Sequence, residues 1–124
     1  MRKEKLLIQG APPAVGSVQV TAPFDGAVLA EIDTAGADHV DKALATAQQL
    51  YRDRTGWLPL DERVAILERT VGLMTQHKDA LVQETTAEGG KPLQDTDVEV
   101  VRAIDGIRIC IETIRTEQGE VVPM

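Results

Sequence analysis

Aromatic residues, cysteines and basic residues are all scarce in this sequence of 124 residues. Phe24, Tyr51 and Trp57 are the only aromatic residues, so a core must be built from aliphatic side chains. The single cysteine, Cys110, excludes an internal disulfide and suits a reducing compartment. Lys and Arg number 13 against 20 Asp and Glu, which gives a net charge of −7. That charge argues against a nucleic-acid partner, because phosphate binding needs a surplus of cations.

Long apolar runs are absent as well. The only apolar run near the start is Leu6–Ile8, which is too short for the core of a signal peptide or for a membrane span. Hydrophobic residues make up 43% of the chain and charged residues 27%, so the chain can bury a core and is not a disordered segment. We therefore expect a cytoplasmic protein of one domain that does not enter a membrane.

The first third of the chain has the pattern of strands broken by turns. Residues 18–20 and 27–32 are strand-like and flank the segment Pro23-Phe24-Asp25-Gly26. Proline favours the first corner of a turn, and glycine favours the left-handed residue that follows it in many hairpins. The pattern predicts a β-hairpin over residues 18–33.

From residue 38 onward the apolar residues recur at helical spacing. Asp38 is the expected N-terminal cap of the first helix, with Asp41 completing an imperfect capping box. Arg52, Arg54 and Gly56 are expected to close that helix. The apolar positions of each helix fall on one face: Val40, Leu44, Ala47 and Tyr51; then Val64, Leu67, Val71, Met74 and Leu81, widened by Ile66 and Leu73; then Val100, Ile104, Ile107, Ile111 and Ile114.

Turn formers and acidic residues divide the helical region. Pro59 is expected at the first position of the second helix, with Asp61 and Glu62 in its first turn. A break between His77 and Asp79 is expected, with Asp79 as a further cap. Residues 89–92 (GGKP) predict a helix end, the last helix is expected to begin near Asp95, and Gly119 is expected just beyond its end.

Three groups of residues could suggest a site, and each has a simpler structural interpretation. Gly89-Gly90-Lys91 lacks the earlier glycine and the following Ser or Thr that a phosphate-binding loop requires. Cys110 falls on the apolar face of the last helix between Ile107 and Ile111, which predicts a buried structural cysteine. His39 and His77 have no second ligand at a suitable spacing, so we expect solvated or capping positions and no metal site.

Taken together and in order, the segments of this chain resemble the N-terminal portion of the NAD(P)-dependent aldehyde dehydrogenases. Residues 22–32 (APFDGAVLAEI) are similar to that family's "NP-x-DG-x-V" hairpin, with Ala22 in place of the usual Asn. The other matching segments are 40–53 (VDKALATAQQLYRD), 57–67 (WLPLDERVAIL), 88–93 (EGGKPL), 99–103 (EVVRA) and 119–124 (GEVVPM). Each segment alone is a weak signal, but their order and spacing over residues 18–124 make the resemblance strong.

The resemblance also implies where the chemistry lies. In that family a Cys thiolate attacks the aldehyde, a Glu activates water, an Asn and a backbone N–H stabilise the oxyanion, and a Gly-containing loop holds the cofactor. All of these follow the segment that corresponds to residues 119–124, and Cys110 does not align with the nucleophile. The resemblance therefore implies no catalytic, cofactor-binding or metal-binding residue in this chain, and NAD or NADP as the cofactor of the intact enzyme only.

These observations predict an α+β fold, mostly α, in which a β-hairpin precedes three or four amphipathic helices as part of a cofactor-binding domain. Residues 1–124 are expected to form a single partial domain, with the hairpin at 18–33 and helices over 38–118. The predicted function is that of an N-terminal fragment of an aldehyde dehydrogenase that is inactive by itself. The sequence stops within an apolar segment of extended pattern, which favours this prediction over a complete domain. The alternative is a stand-alone helical module that binds a protein partner.

The expected partners follow from the apolar helix faces. The faces of the last two helices are wider than 124 residues readily cover. We therefore expect exposed apolar patches that bind either the remainder of the enzyme or a second copy of the chain.

Overall fold

The computed structural model describes residues 2–117, 119, 122 and 123. Its elements, in chain order, are strands β1 (Arg2–Glu4), β2 (Gly16–Thr21) and β3 (Val28–Thr34) and helices α1 (Ala37–Arg52), α2 (Leu60–Gln76), α3 (Lys78–Gly89) and α4 (Leu93–Thr116), with a 3₁₀ turn at Arg54–Gly56. The predicted α+β class with mostly helix is confirmed. Contacts group the chain into two compact units: residues up to Trp57 with Thr85–Lys91, and Leu58–Glu84 with the residues from Pro92 onward.

The sheet of the first unit has the order β1-β3-β2, so β3 is its central strand. β2 and β3 are antiparallel, with Val18 opposite Ile32 and Val20 opposite Ala30, which confirms the predicted hairpin. β1 is parallel to β3, with Lys3 opposite Glu31. This third strand was not predicted, because three polar residues carry no strand pattern of their own and the pairing joins distant parts of the chain.

The turn between β2 and β3 is held by hydrogen bonds of its own backbone. The N–H of Ala27 donates to Asp25 Oδ1 at 2.9 Å, and the N–H of Gly26 donates to the Ala22 carbonyl at 2.9 Å. Gly26 has φ +74, the left-handed conformation that glycine adopts without steric cost. The prediction of a left-handed glycine in this turn is confirmed.

α1 begins earlier than predicted and with a different cap. Its N-cap is Gly36, and Asp38 lies within the first turn of the helix. The Gly36 N–H donates to Nδ1 of His39 at 3.1 Å, so the imidazole takes the capping-box role that was predicted for Asp41. The predicted cap was wrong because glycine can also occupy the N-cap, and the ring nitrogen of His39 accepts the N–H that the Asp41 carboxylate was expected to accept.

The apolar stripe of α1 is exposed in this structure. Val40, Leu44, Ala47 and Tyr51 share one face, as predicted, and all four are exposed. The helix instead turns a small and polar face inward, formed by His39, which is 1% exposed, and the half-buried Ala43 and Thr46. Helical spacing identifies which residues share a face, but it does not identify what covers that face.

The end of α1 is closed by a cluster of two rings and one cation. The Arg54 guanidinium carbon lies 4.8 Å from the centre of the Tyr51 ring and 4.2 Å from that of Trp57. The Trp57 indole N–H donates to the carbonyl of Leu50 at 3.1 Å. These contacts hold the segment after α1 against its last turn, as expected for cation–π pairs of this length.

The second unit is a helical core. Val82, Val100 and Ile104 are buried at its centre, with Val71, Met74 and Leu81 packed around them. Ile111 is also buried, and Ile107 and Ile114 are half-buried. The predicted apolar face of the last helix is therefore confirmed. Burial of each such aliphatic side chain contributes roughly 1.5–3 kcal/mol.

Most of the predicted helix ends are confirmed, with shifts of one or two residues. α2 ends at Gln76 and α3 begins at Lys78, so the predicted break is present, although Asp79 lies in the first turn and does not cap it. Pro59 and Pro92 are both N-caps, one position before their helices begin. α4 thus begins at Leu93 and not near Asp95.

The predicted end of the chain is described only in part. Gly119 has φ +78, which suits a residue just beyond a helix. The predicted extended segment over residues 120–124 falls mainly on Glu120, Val121 and Met124, which lie outside the described residues.

We expect His39→Ala to lower the free energy of unfolding by about 2–4 kcal/mol. The change leaves the Gly36 N–H without its acceptor and the Pro12 carbonyl, 3.1 Å from Nε2, without its donor. Urea denaturation followed by circular dichroism measures the loss. The control is His77→Ala, at an exposed helix end, for which we expect a change within about 0.5 kcal/mol. Equal effects of the two substitutions would contradict the assigned role of His39.

Candidate functional site

Two of the segments that resemble aldehyde dehydrogenases meet in the first unit. The hairpin turn at residues 22–27 and the end of α3 with the residues after it border a groove of about 340 Å³. Its lining residues are Ala22, Phe24, Asp25, Ala27, Leu29, Thr86, Ala87, Gly90 and Lys91. We call it the turn–helix groove, and it is the best candidate for a site in this unit because it joins two motifs that are far apart in sequence.

Gly90 brings the two sides of the groove together. It has φ +63, and its N–H donates to the Thr86 carbonyl at 2.9 Å, which ends α3. A Cβ placed on Gly90 would lie 3.1 Å from Cβ of Pro23 in the hairpin turn. Only glycine combines this backbone conformation with so close an approach at low cost. The GGKP segment was correctly predicted to end a helix, and the structure adds that it packs on the turn.

The chemistry available in the turn–helix groove is limited. The Asp25 carboxylate accepts from Ala27 in the turn. The hydroxyl oxygen of Thr86 is buried and has no hydrogen-bond partner. None of the residues that line the groove is a cysteine, serine or histidine. Its geometry indicates a packing joint.

The Gly89-Gly90-Lys91 segment does not fit a phosphate group of a nicotinamide cofactor. Phosphate sites use free N–H groups at the start of a helix. This segment instead lies at the C-terminal end of α3, where carbonyls point outward, and the Gly90 N–H is already bonded to Thr86. The structure therefore gives these residues no role in holding NAD or NADP.

The predicted burial of Cys110 is wrong, since its side chain is exposed. The buried side of α4 runs through Val100, Ile104 and Ile111, and Cys110 lies beside that side, not on it. The residues three and four positions away on the helix are Gly106, Ile107, Thr113 and Ile114. None of them is charged or basic, so this helix face supplies no group that would form a thiolate.

The two histidines occupy different environments. His39 was predicted to be either solvated or a helix cap. It caps α1 and is buried, so the second of these predictions is confirmed. His77 is the exposed C-cap of α2, and its backbone N–H donates to the Leu73 carbonyl. Among residues 2–117, 119, 122 and 123, no group of three or more His, Cys, Asp or Glu side chains could hold a metal ion.

Among the residues that the structure describes, two carboxyl groups have a pKa below the ordinary value, and both shifts have local causes. The hydroxyl of Ser17 donates to Glu31 at 2.6 Å and Lys3 forms an ion pair with it at 3.1 Å, which lowers the pKa of Glu31. The hydroxyl and N–H of Thr55 donate to Asp53 and lower its pKa. Perturbed pKa values often mark active sites. Neither Glu31 nor Asp53 lines a cavity described above. The lowered pKa of Glu31 reflects the pairing of β3 with its neighbouring strands, and that of Asp53 reflects the turn after α1.

The sequence and the structure were compared with known proteins, and both comparisons point to the same family. The sequence profile of the aldehyde dehydrogenase family matches residues 11–124. The chain is 33% identical over 115 residues to an N-succinylglutamate 5-semialdehyde dehydrogenase of Burkholderia ambifaria, which covers 91% of this chain and 22% of that protein. The structure superposes on aldehyde dehydrogenase 21 from Physcomitrella patens, solved with the reaction product succinate, with a TM-score of 0.83 and 26% identity, over 98% of this chain and 26% of that one.

A second solved structure supports the fold alone. A salicylaldehyde dehydrogenase from Pseudomonas putida G7 has a TM-score of 0.81 at 19% identity, over 100% of this chain and 26% of that one. The architecture is thus that of the N-terminal portion of an aldehyde dehydrogenase subunit. The chain belongs to the aldehyde dehydrogenase family, and it spans about a fifth of the length of the curated relatives that it matches. No helix in the described part of the chain is long and apolar enough to cross a membrane.

We expect Gly90→Ala to lower the free energy of unfolding by about 1–3 kcal/mol, because alanine is strained at positive φ and would press on Pro23. Gly72→Ala is the matched control. Gly72 lies within α2 with open space around it, so alanine there should stabilise the protein by about 0.5–1 kcal/mol. Urea denaturation gives both values, and a stabilising Gly90→Ala would contradict the proposed close contact.

We expect Ser17→Ala to raise the pKa of Glu31 toward its ordinary value of 4.5, since the Ser17 hydrogen bond is the largest cause of its depression. Lys3→Met should raise the same pKa, because the ion pair also lowers it. NMR titration of the Glu31 carboxyl carbon measures both. A depressed folded-state pKa stabilises the fold above the unfolded-state pKa, and that contribution disappears as the pH falls through the folded-state pKa. An unchanged Glu31 pKa in both variants would refute the assigned causes.

Proposed function

We propose that this chain serves as the N-terminal structural segment of an NAD(P)-dependent aldehyde dehydrogenase and has no dehydrogenase activity by itself. The proposal rests on how much of each chain the structural match covers. The chain matches a solved aldehyde dehydrogenase over 98% of its own length but only 26% of that enzyme's. The family reaction, oxidation of an aldehyde to a carboxylic acid with hydride transfer to nicotinamide, belongs to the whole enzyme.

The contribution of this chain to such an enzyme is structural. At the turn–helix groove, the contact between Gly90 and Pro23 holds the hairpin turn against the end of α3. The apolar residues left exposed on α1 and α4, among them Leu44 and Ile109, supply surface for the remainder of the enzyme. The cofactor would be bound by that remainder, because the Gly89-Gly90-Lys91 segment does not fit its phosphates. The single, unpaired cysteine is consistent with a cytoplasmic location.

The relatives suggest the substrate class of the whole enzyme. The Burkholderia relative is named for a semialdehyde that carries carboxylates, and the Physcomitrella structure holds succinate. An aldehyde with a carboxylate at its far end is therefore the first substrate class to test on any full-length form. No residue of the present chain is assigned to its recognition.

A second candidate function is a stand-alone helical module that binds a protein partner. The exposed apolar stripe of α1 favours it, since surfaces of this kind commonly mark interaction sites. Sequencing of the gene beyond codon 124 separates the two candidates. A reading frame that continues into a strand, a Gly-rich loop and a cysteine supports the enzyme segment. A stop codon with no such remnant downstream supports the module.

We expect the purified chain to give no reduction of NAD or NADP with succinic semialdehyde or with any simple aldehyde. The measurement is absorbance at the nicotinamide band, with a full-length aldehyde dehydrogenase as the positive control. Cys110→Ala is the matched variant and should behave as the unmodified chain does. Turnover above background that Cys110→Ala abolishes would show that this cysteine is a nucleophile and would refute the proposal.

A further inference from the structure

Two backbone groups hold the imidazole of His39 and determine where its proton lies. The Gly36 N–H can only donate, so Nδ1 of the ring, 3.1 Å away, carries no proton and accepts. The Pro12 carbonyl can only accept, so Nε2, also 3.1 Å away, carries the proton and donates. Together the two contacts are compatible with one form of the ring, the neutral form with its proton on Nε2.

These two hydrogen bonds join parts of the first unit that are distant in the sequence. Pro12 belongs to the segment that precedes β2, whereas Gly36 is the N-cap of α1. The same two segments also meet at Val15, whose N–H donates to the Thr34 carbonyl at 3.1 Å. A Cβ placed on Gly36 would lie 3.0 Å from Cγ1 of Val15, so little space separates the segments. We call the His39 ring with its two backbone partners the His39 latch.

A second proton on the ring breaks the His39 latch at one of its two ends. The proton can enter only at Nδ1, where it sets one N–H against the N–H of Gly36 and removes the acceptor on which the cap depends. The ring is 1% exposed, so water does not solvate the added charge while the latch is closed. The charged ring therefore requires the start of α1 or the Pro12 segment to move.

The charged groups around the ring do not offset such a charge. Both hydrogen bonds of the ring go to backbone groups, and it forms no ion pair within the described part of the chain. The segment over residues 8–16 has no ionisable side chain. The ionisable residues of β3 and α1 nearest to His39 in the sequence are Asp33, Asp38, Asp41 and Lys42. The two aspartates of α1 are exposed, and Lys42, one turn along the same helix face, is itself a cation.

From these observations we propose that His39 is an acid-sensitive latch, in which a proton added at Nδ1 releases the start of α1 from the segment before β2. The unfolded chain takes up this proton without loss of a contact, whereas the closed latch does not. The latch therefore stabilises the first unit at neutral pH. That contribution decreases as the pH falls below about 6.5, where a histidine of an unfolded chain becomes charged.

Urea denaturation of the full chain at about pH 7.5 and about pH 5.5 tests the proposal. The amide NMR signal of Ala30, in the central strand β3, gives the folded fraction of the first unit. We expect the folding equilibrium constant to be about tenfold lower at the lower pH, because one proton binds to the unfolded chain alone. The lower pH lies above the range in which Glu31 and Asp53, whose pKa values are lowered, take up protons.

Two variants separate His39 from other sources of pH dependence. In His39→Gln the ratio of the two equilibrium constants should fall to about one, because the residue no longer titrates, whatever stability the variant loses. His77→Ala is the control and should keep the tenfold ratio, because the exposed His77 ring has no hydrogen bond in the described part of the chain. A tenfold ratio that persists in His39→Gln, or an unmodified chain with equal constants at both pH values, overturns the proposal.

The ring gives a second readout on the unmodified chain, which does not depend on whether a variant folds. His39 and His77 are the only histidines, so a chain labelled at histidine nitrogen shows two sets of ring signals. At about pH 7.5 we expect the neutral His39 ring with its proton on Nε2, and a scalar coupling from Nδ1 to the Gly36 N–H. A proton on Nδ1 in the folded chain at that pH overturns the proposal. A charged ring in a chain that keeps the Gly36 hydrogen bond does so as well.

Discussion

The contact of Gly90 with Pro23 is the constraint on which the first unit depends. It ends α3, fixes the hairpin turn against that end, and forms the turn–helix groove. A side chain at residue 90 would be strained by the positive φ and would also press into the proline ring. Gly90 therefore ends a helix and also contacts a segment that is 67 positions away in the sequence. The two segments that this contact joins both resemble motifs of the aldehyde dehydrogenase family.

The chain shares the fold of the N-terminal portion of the aldehyde dehydrogenases. What the matching segments share with the family is a hairpin turn, helix ends and apolar helix faces, each of which has a packing role in the described residues. Cys110 is exposed, and none of the residues three or four positions from it along α4 is charged. The Gly-Gly-Lys segment lies at the C-terminal end of its helix, whereas phosphate is held at N-terminal ends. Membership of a family is thus visible in structural residues alone, and function has to be argued from a site.

Features set by local chemistry were predictable from the sequence. The left-handed Gly26, the break at His77 and the helix end at Gly89 each depend on a few neighbouring residues, and each is present. Features set by distant partners were not. β1 exists only because β3 pairs with it, and His39 is buried because the Pro12 carbonyl accepts from its ring. The outward face of α1 and the exposure of Cys110 show the same limit, since periodicity groups residues without showing what covers them.

The indole of Trp57 gives this chain a built-in optical reporter. It is the only tryptophan in the sequence, and it lies beneath the Arg54 guanidinium with its N–H bonded to the last turn of α1. Emission excited at the red edge of protein absorption therefore comes from one place in the first unit, and the helical core of the second unit contributes none. Comparison of that emission with the helical signal of the whole chain distinguishes loosening of the first unit from unfolding of the second without any label.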